Sequence, residues 1–258
     1  MSSPEYIREV QYRTDSNLAA RQSIYVFQHP RVRLYERALD LAELRGDEVV
    51  FDIGCGNGAY LATLSRRGHR GVVVGGDMSV GMLEAARPWA GAANLIVADA
   101  QRIPFSDDTF DVTLAMHMLY HVPDRALGIA ELRRVTRPGG VALVVTNSVG
   151  HLAELDDVLF AVTGVSLPSS KLVFNMENAG AELESAFEAV TRHDFPSKLE
   201  ITEVQPVLDY VASMRAFVAG TDIEVEPALA ELGARVATII ERDGAFVART
   251  GAGCFVCR

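Results

Sequence analysis

The sequence predicts an α/β protein built around a doubly wound, mostly parallel β-sheet. Between about residues 47 and 147, short apolar runs alternate with segments that carry apolar residues at helical spacing, which is the pattern of successive βαβ units. The runs are apolar at almost every position, as expected of parallel strands that helices cover on both faces. The first run leads directly into a turn at 54–58 that contains three glycines, a common way for a strand of such a sheet to enter a helix.

Each element is predicted from its own pattern. The apolar runs predict strands at 49–53, 72–74, 94–99, 110–116 and 141–145. Ser79 and Asp124 precede helical segments and can cap their first N–H groups, and the glycines at 139 and 140 end the second of these helices. Beyond the fifth strand, helices are predicted at 150–163, 178–190, 206–218 and 224–242, a strand at 198–202, and two short strands at 245–249 and 254–257 around a turn at 250–253.

These elements predict a single domain over residues 1–258. Its core is expected at about 47–147, with C-terminal strands at about 245–258. The helical segments at about 1–45, 150–177 and 206–243 are expected to form a cap over the sheet.

Composition narrows the class of partner. The 258 residues include 24 Lys and Arg against 34 Asp and Glu, which gives a net charge of −10. An acidic surface repels phosphate groups, so neither nucleic acid nor a membrane is an expected partner. No apolar run approaches the roughly 20 residues that a membrane helix needs, and the chain begins without an apolar signal core. We therefore expect a cytoplasmic protein.

The three cysteines do not predict a disulfide or metal framework. Cys254 and Cys257 form a CxxC pair, but no second pair is present to complete a zinc site. An apolar strand at 254–257 would point the two sulfurs to opposite faces. Buried thiols in a reducing compartment are therefore the expected state.

Aspartates lie in or at the ends of three consecutive strands, beside the glycine turn. Asp77 ends the second strand, about 20 residues beyond the turn, where a carboxylate can accept both hydroxyls of a ribose. Asp99 ends the third strand, where it could accept from an exocyclic amine such as adenine N6. Asp52 lies inside the first strand, where a buried charge needs a partner such as a ligand ammonium or backbone amides. Each aspartate alone is more often a cap or turn residue, but together they predict an adenosine-type ligand with an amino group and no pyrophosphate.

These residues lie in segments that resemble the motifs of the class I S-adenosylmethionine-dependent methyltransferases. The matching segments follow the family's order: 49–58, 76–87, 98–105 with 110–111, 118–124 and 131–140. Softer matches towards both ends resemble a bacterial subgroup that methylates small molecules. The resemblance implies a Rossmann-like, doubly wound, mostly parallel sheet of seven strands with a helical cap. Gly76 departs from the family, in which a larger apolar residue usually precedes the aspartate.

The resemblance also implies S-adenosyl-L-methionine as the cofactor and a role for each matching residue. The glycine turn would contact the methionine part of the cofactor through Gly54, Gly56 and Gly58, and Asp52 would help to hold the amino group. The other cofactor contacts would be Asp77 at the ribose, Met78 against the adenine, Asp99 and Ala100 at the adenine edge, and Ala115 and Met116 near the methionine end.

Histidines after the fourth and fifth strands are the candidates for chemistry at the methyl acceptor. Methyl transfer needs the nucleophile held about 3–3.5 Å from the methyl group, and it needs a base only where the acceptor carries its proton into the reaction. His117 and His121 are predicted to be catalytic, with His121 favoured, because an unperturbed histidine titrates near pH 6.5; a structural role is equally open for each. No metal is expected, since no acidic third ligand has a matching spacing. The predicted substrate-binding residues are Tyr12, Arg21, Tyr120, Asn147 and His151.

The sequence thus predicts methyl transfer from S-adenosyl-L-methionine to a small, partly hydrophobic molecule such as a specialised metabolite or a quinone. Oxygen, nitrogen and carbon acceptors remain open, and the oligomeric state is unknown. A cofactor-binding protein of the same fold that catalyses a cyclisation, or that acts as a binding module, is the alternative, because fold does not fix function. A nicotinamide dehydrogenase is disfavoured by a GxGxG turn in place of GxGxxG.

Overall fold

The computed structural model describes residues 16–167, 172–214 and 224–258, so the predicted substrate-binding residue Tyr12 lies outside the described residues. Within them, one sheet of eight strands has the order β1-β7-β8-β6-β5-β2-β3-β4. The strands are β1 (Gln28–His29), β2 (Val50–Ile53), β3 (Val73–Asp77), β4 (Asn94–Val97), β5 (Phe110–Met116), β6 (Thr136–Asn147), β7 (Val190–Ile201) and β8 (Phe246–Cys257).

The helices cover the sheet and form its connections. They are α1 (Ser16–Ser23), α2 (Leu34–Asp40), α3 (Ala59–Arg66), α4 (Val80–Ala86), α5 (Arg125–Val135), α6 (Ala153–Thr163), α7 (Ala179–Leu183), α8 (Gln205–Ala212) and α9 (Val225–Asp243). Short 3-10 turns follow α1, at Ile24–Phe27, and β5, at Leu119–His121. Both predicted N-caps are confirmed: Ser79 accepts from Met82 N–H at 3.2 Å and Asp124 from Leu127 N–H at 3.0 Å. The predicted end of α5 at the glycines 139 and 140 is wrong, because the helix ends at Val135 and both glycines lie inside β6.

The five neighbouring strands β6, β5, β2, β3 and β4 are parallel to one another, as predicted. Strand β2 lies between β3 and β5, so the chain winds outward from it in both directions. The loops that follow β2, β3 and β5 therefore meet at the carboxyl edge, where ligands bind in sheets of this type.

The far side of the sheet is antiparallel and carries one strand more than the seven expected. Strand β8 pairs antiparallel with both β6 and β7. The extra strand, β1, is a two-residue edge strand in which Gln28 pairs with Leu199 and His29 with Lys198. A strand of two residues is too short to show a periodic pattern in the sequence. It forms only because it pairs with β7, which is far away in the chain.

The predicted turn at 250–253 is wrong, since these residues lie inside the continuous strand β8. The two glycines that indicated a turn are required by close packing. A Cβ on Gly251 would lie 2.0 Å from Ser148 Oγ, and one on Gly253 would lie 2.1 Å from Met176 Cε. The predicted helix at 178–190 is also wrong beyond Leu183, because the chain turns there to enter β7.

Strands β7 and β8 extend beyond β6 as a ribbon, and the short strand β1 pairs with β7 along its outer edge. Only residues 252–257 of β8 pair with β6, whereas residues 246–251 pair with β7 alone. Helices α6, α8 and α9 pack on this ribbon. Their shared core contains residues that are almost fully buried: Leu155, Leu199, Ile201, Val207, Leu232, Val236, Phe246 and Ala248. These three helices and the ribbon therefore form one apolar core beside the parallel part of the sheet. The predicted domain limits stay a prediction.

The cysteines are buried, as expected. Cys254 packs in the core cluster on one face of the sheet and Cys257 in the cluster on the other. Burial raises the pKa of both thiols to about 12, so they are uncharged at neutral pH. In the part of the chain that the structure describes, no helix combines the length and the hydropathy needed to cross a membrane.

Candidate active site

The turn between β2 and α3 has a backbone that glycine adopts readily. Gly54, Gly56 and Gly58 have φ angles of 71°, 55° and 80°, in the left-handed region. Gly54 has no room for a side chain, because a Cβ there would lie 2.8 Å from Met118 Cβ. Its N–H donates to the carbonyl of Gly76 at 2.7 Å. The turn is therefore packed between the end of β3 and the segment after β5, and α3 begins in the same crevice.

Asp77, the last residue of β3, holds this turn in place. Its Oδ2 accepts from Gly56 N–H at 2.9 Å, and its Oδ1 accepts from Ser79 N–H at 2.8 Å. Burial raises the pKa of Asp77, and these hydrogen bonds oppose the rise. Each oxygen keeps a lone pair for a further donor. Gly76 has a packing reason, since a Cβ there would lie 3.0 Å from Phe51 Cε2.

Asp52 is a fully buried carboxylate in β2. Among the described residues, neither of its oxygens has a hydrogen-bond partner. Burial raises its pKa well above the ordinary value, and the neighbouring Asp77 raises it further. A charge in this position is costly unless a cation or several donors meet it. The hydroxyl of Tyr60, in α3, is likewise buried without a partner in the described chain.

The turn after β4 lies at the same edge. Asp99 is half-buried there, and its Oδ1 accepts from Gln101 N–H at 2.9 Å. Ala100 is buried, and Met78 is 40% exposed, which leaves an apolar side chain at the surface directly after Asp77. The structure thus brings the predicted ribose and adenine residues to neighbouring strand ends.

The last residues of β5 and β6 are the remaining predicted contacts on this edge. Ala115 and Met116 are both buried, and they pack in core clusters on opposite faces of the sheet. Asn147 ends β6, and its carbonyl accepts from Met176 N–H at 3.0 Å. The structure places all three at the carboxyl edge.

His117 and His121 lie in the segment after β5. The N–H of His117 donates to the carbonyl of Val145 at 2.9 Å, and its φ is 56°, which is uncommon for a residue with a side chain. The ring of Tyr120 meets that of His121 edge-on, with centroids 4.6 Å apart. Burial lowers the pKa of both histidines to about 4, and Arg21 lowers that of His121 further. Both imidazoles are therefore uncharged near pH 6.5, where the sequence alone led us to expect titration.

His151 lies between β6 and α6 and is 2% exposed. Its Nδ1 accepts from Gly251 N–H at 3.2 Å, and its Nε2 lies 2.9 Å from the hydroxyl oxygen of Tyr25. Burial first, and then His117, lower the pKa of His151 to about 3, so the ring is neutral at physiological pH. Because Nδ1 accepts a hydrogen bond, the single ring proton is on Nε2 and is donated to Tyr25.

Comparison with known proteins assigns this site to a family. Residues 51–144 match the family model of a methyltransferase domain. The chain is 35% identical over 129 residues to malonyl-acyl-carrier protein O-methyltransferase of Serratia marcescens, and it spans about half of that protein, with 50% of each chain covered. It is 33% identical over 184 residues to 27-O-demethylrifamycin SV methyltransferase of Amycolatopsis mediterranei, covering 66% of this chain and 67% of the relative. The chain belongs to the class I S-adenosylmethionine-dependent methyltransferases.

A solved structure supports the fold assignment of this methyltransferase. A protein of an antibiotic biosynthesis pathway in Anabaena variabilis superposes with a TM-score of 0.68 at 16% identity, covering 88% of this chain and 96% of that one. This likeness confirms the fold class. The family model and the relatives confirm the predicted family and S-adenosylmethionine as the cofactor.

The residues at the crevice of the methyltransferase fit this cofactor. Asp52 supplies a buried, unpartnered carboxylate for the amino group, and the glycine turn leaves the backbone open to close approach. Asp77 has two acceptor oxygens at the next strand end, and they would serve the ribose hydroxyls. When bound, the cofactor supplies a methyl group that is activated by the adjacent sulfonium. The individual residue assignments remain predictions.

Helix α1 lies over the glycine turn. Gln22 bridges the two, since its amide nitrogen donates to Tyr35 Oη at 3.1 Å and its carbonyl oxygen accepts from Asn57 Nδ2 at 3.3 Å. Leu18 would be 3.6 Å from a Cβ on Gly56. None of the residues of α1 is fully buried, so the helix covers the turn without belonging to the core. This arrangement is suited to a segment that closes on the cofactor.

We expect amide hydrogen exchange in α1 to slow when S-adenosylhomocysteine is added, because the bound ligand removes the helix and the turn from water. The exchange of α9, which packs on the ribbon, serves as the internal control and should not change. Equal exchange of α1 with and without ligand would exclude closure.

Two residues were missed from the sequence: Tyr25, which pairs with His151, and Gln22, which contacts the glycine turn. Tyr25 lies in the short apolar run 24–27, which indicates only a buried segment, and its partner His151 is 126 positions away. Gln22 lies in a polar helix without any motif. Arg21 was predicted, and its charge influences both Tyr25 and His121. Only tertiary contacts distinguish these side chains from ordinary surface or core residues.

Proposed function

We propose that this protein transfers a methyl group from S-adenosyl-L-methionine to a small, partly hydrophobic metabolite. One observation carries the proposal: a cluster of histidine and tyrosine side chains begins directly beside the cofactor turn. His151 is buried, and Tyr25, His117, Tyr120 and His121 are half-buried. Met118 packs on Gly54, and His117 precedes it in the chain. The predicted acceptor-binding residues Tyr120 and His151 belong to the same neighbourhood, since His117 acts on the pKa of His151.

The surroundings of this cluster favour an acceptor with an apolar body. The 3-10 turn that carries Tyr25 packs with Ile24 in the same core as α6, α8 and α9. Tyr25 packs against this core as well, so apolar side chains adjoin its polar hydroxyl, a usual composition for a small-molecule pocket. A specialised metabolite with an apolar body and a polar group suits these surroundings. The expectation of a cytoplasmic protein without nucleic-acid or membrane partners stays a prediction.

The test is formation of S-adenosylhomocysteine together with a methylated product, measured by mass spectrometry. The first acceptors to offer are those in the names of the two relatives, 27-O-demethylrifamycin SV and the malonyl-acyl-carrier protein, followed by a panel of phenols, quinols, amines and enols. Binding of the cofactor without transfer to any acceptor class would favour the alternative of a binding module or a cyclisation catalyst.

The histidines give a prediction about the mechanism. With pKa values near 4, His117 and His121 are poor proton acceptors at neutral pH. We therefore expect His117→Ala and His121→Ala to slow single-turnover methylation by less than the roughly 10²–10⁴-fold that a general base contributes. The wild-type rate should show no step at the ordinary histidine pKa, and a chelator should not affect it.

The opposite results would be equally informative. A loss within the range of a general base, together with a changed pH profile, would identify that histidine as the base. Inhibition by chelator would overturn the metal-free prediction. In either variant, unchanged affinity for S-adenosylhomocysteine is the control that the cofactor site is intact.

A further inference from the structure

The hydroxyl hydrogen of Tyr25 is available for donation, because of the way in which His151 is hydrogen-bonded. His151 Nδ1 is occupied by Gly251 N–H at 3.2 Å, so Nε2 carries the ring proton and donates it to the Tyr25 oxygen at 2.9 Å. The tyrosine hydroxyl is therefore an acceptor towards His151, and its own hydrogen points elsewhere. Among the described residues, the structure gives this hydrogen no protein acceptor.

Several contacts hold the rings of His151 and Tyr25 in fixed orientations. The two rings are nearly parallel, with centroids 6.3 Å apart and planes at 23°. His151 is further fixed because Gly251 can approach it only without a side chain: a Cβ there would meet Ser148 Oγ. Three separate parts of the fold thus position one hydroxyl: the 3-10 turn after α1, the segment after β6 and the middle of β8.

The electrical surroundings of this hydroxyl select the charge of a ligand. Within the described chain, the titratable groups that influence the pKa of Tyr25 electrostatically are Tyr210, Tyr120, Tyr35 and Arg21. They include one cation and no carboxylate. His151 and His117 are neutral at physiological pH, because burial lowers their pKa values to about 3 and 4. A ligand ammonium would find no counter-charge here, whereas an oxyanion would meet a donor and a nearby guanidinium.

We propose that Tyr25, oriented by His151, donates a hydrogen bond to an ionised or strongly accepting oxygen of the methyl acceptor, so that the acceptor belongs to the phenols, enols or carboxylic acids. This inference rests on the proposed function, since it deepens the acceptor class of the same site. An acceptor that binds as an oxyanion has already released its proton to water. The protein then needs no strong base, in agreement with the neutral histidines.

The test uses binding, so it does not depend on methyl transfer. The full chain, saturated with S-adenosylhomocysteine, is titrated with para-nitrophenol at a pH where this probe is ionised, and with its methyl ether para-nitroanisole, which has no charge and no ionisable oxygen. The absorption band of the phenolate shifts on hydrogen bonding and reports the contact directly. We expect the wild type to prefer the phenolate over the ether.

The variant Tyr25→Phe should lose this preference and bind the phenolate about 10- to 100-fold more weakly, with unchanged affinity for the ether. A purely structural role of Tyr25 would weaken both probes equally, and that result overturns the proposal. Tyr35→Phe, which removes a neighbouring hydroxyl that accepts from Gln22, is the matched control and should keep the preference. His151→Gln retains an acceptor and a donor and should keep more of the preference than His151→Leu.

Two further outcomes test the acceptor class and the proposed function separately. Equal binding of the two probes by the wild type, or no binding of the phenolate at millimolar concentration, overturns the acceptor class. Failure of the methylation assay with intact discrimination between the probes would reject the proposed function while leaving the oxyanion site in place.

Discussion

Replacing Asp77 with alanine should weaken the binding of S-adenosylhomocysteine by about 10²- to 10⁴-fold. The carboxylate can accept two ribose hydroxyls, and each such hydrogen bond to a charged group contributes about 1.5–3 kcal/mol. The same carboxylate also holds the glycine turn through Gly56 N–H, so the variant loses the shape of the cradle as well. Calorimetry on the wild type, for which we expect micromolar affinity, and on the variant measures the difference.

Asp111→Ala is the matched control for this experiment. Asp111 is an aspartate at the start of β5, and its Oδ2 accepts from Val49 N–H at 2.7 Å, so it holds backbone at the opposite edge of the sheet. Its loss should lower the thermal stability without changing the affinity for the ligand. Unchanged affinity in a folded Asp77→Ala protein would reject the ribose assignment.

Replacing Asp52 with asparagine should have opposite effects on the free and the ligand-bound protein. The variant removes a buried charge that has no partner in the described chain, so the free protein should gain about 1 kcal/mol or more, or about 2–4 °C in Tm for a chain of this size. The variant should also lose the contact with the cofactor amino group, about 1.5–3 kcal/mol. Thermal unfolding with and without S-adenosylhomocysteine measures both changes.

The pH dependence of this gain has a definite sign. Burial raises the pKa of Asp52 in the folded protein, so the folded state prefers the protonated acid. The cost of the charge is absent below the unfolded pKa of about 3.9 and grows as the pH rises towards the folded value. The advantage of Asp52→Asn in the free protein should therefore be largest at neutral pH and disappear as the pH falls to about 4. An equal advantage at every pH would mean that Asp52 finds a partner in the free protein.

The parallel core and the cofactor motifs are determined by the sequence itself. Asp77 and the glycines of the turn act within segments of a few residues, where strand, turn and cap have local patterns. A glycine with positive φ and an aspartate at a strand end have the same local structural role in any sheet of this type. Local chemistry is therefore enough to predict the cofactor side, and the resemblance to the family follows from the same residues.

The acceptor side was decided only by the tertiary structure. The apparent turn in β8 is a strand whose glycines admit Ser148 and Met176, neighbours that no local pattern names. Burial moves the pKa of His121 far from its ordinary value, and burial is a property of the folded chain. The pairing of Tyr25 with His151 joins residues 126 positions apart. Long-range contacts and desolvation arise only when the ribbon and the cap pack together, which is why the sequence predicted the cofactor and pointed to His151 but not to its pairing with Tyr25 or to the lowered pKa values of the histidines.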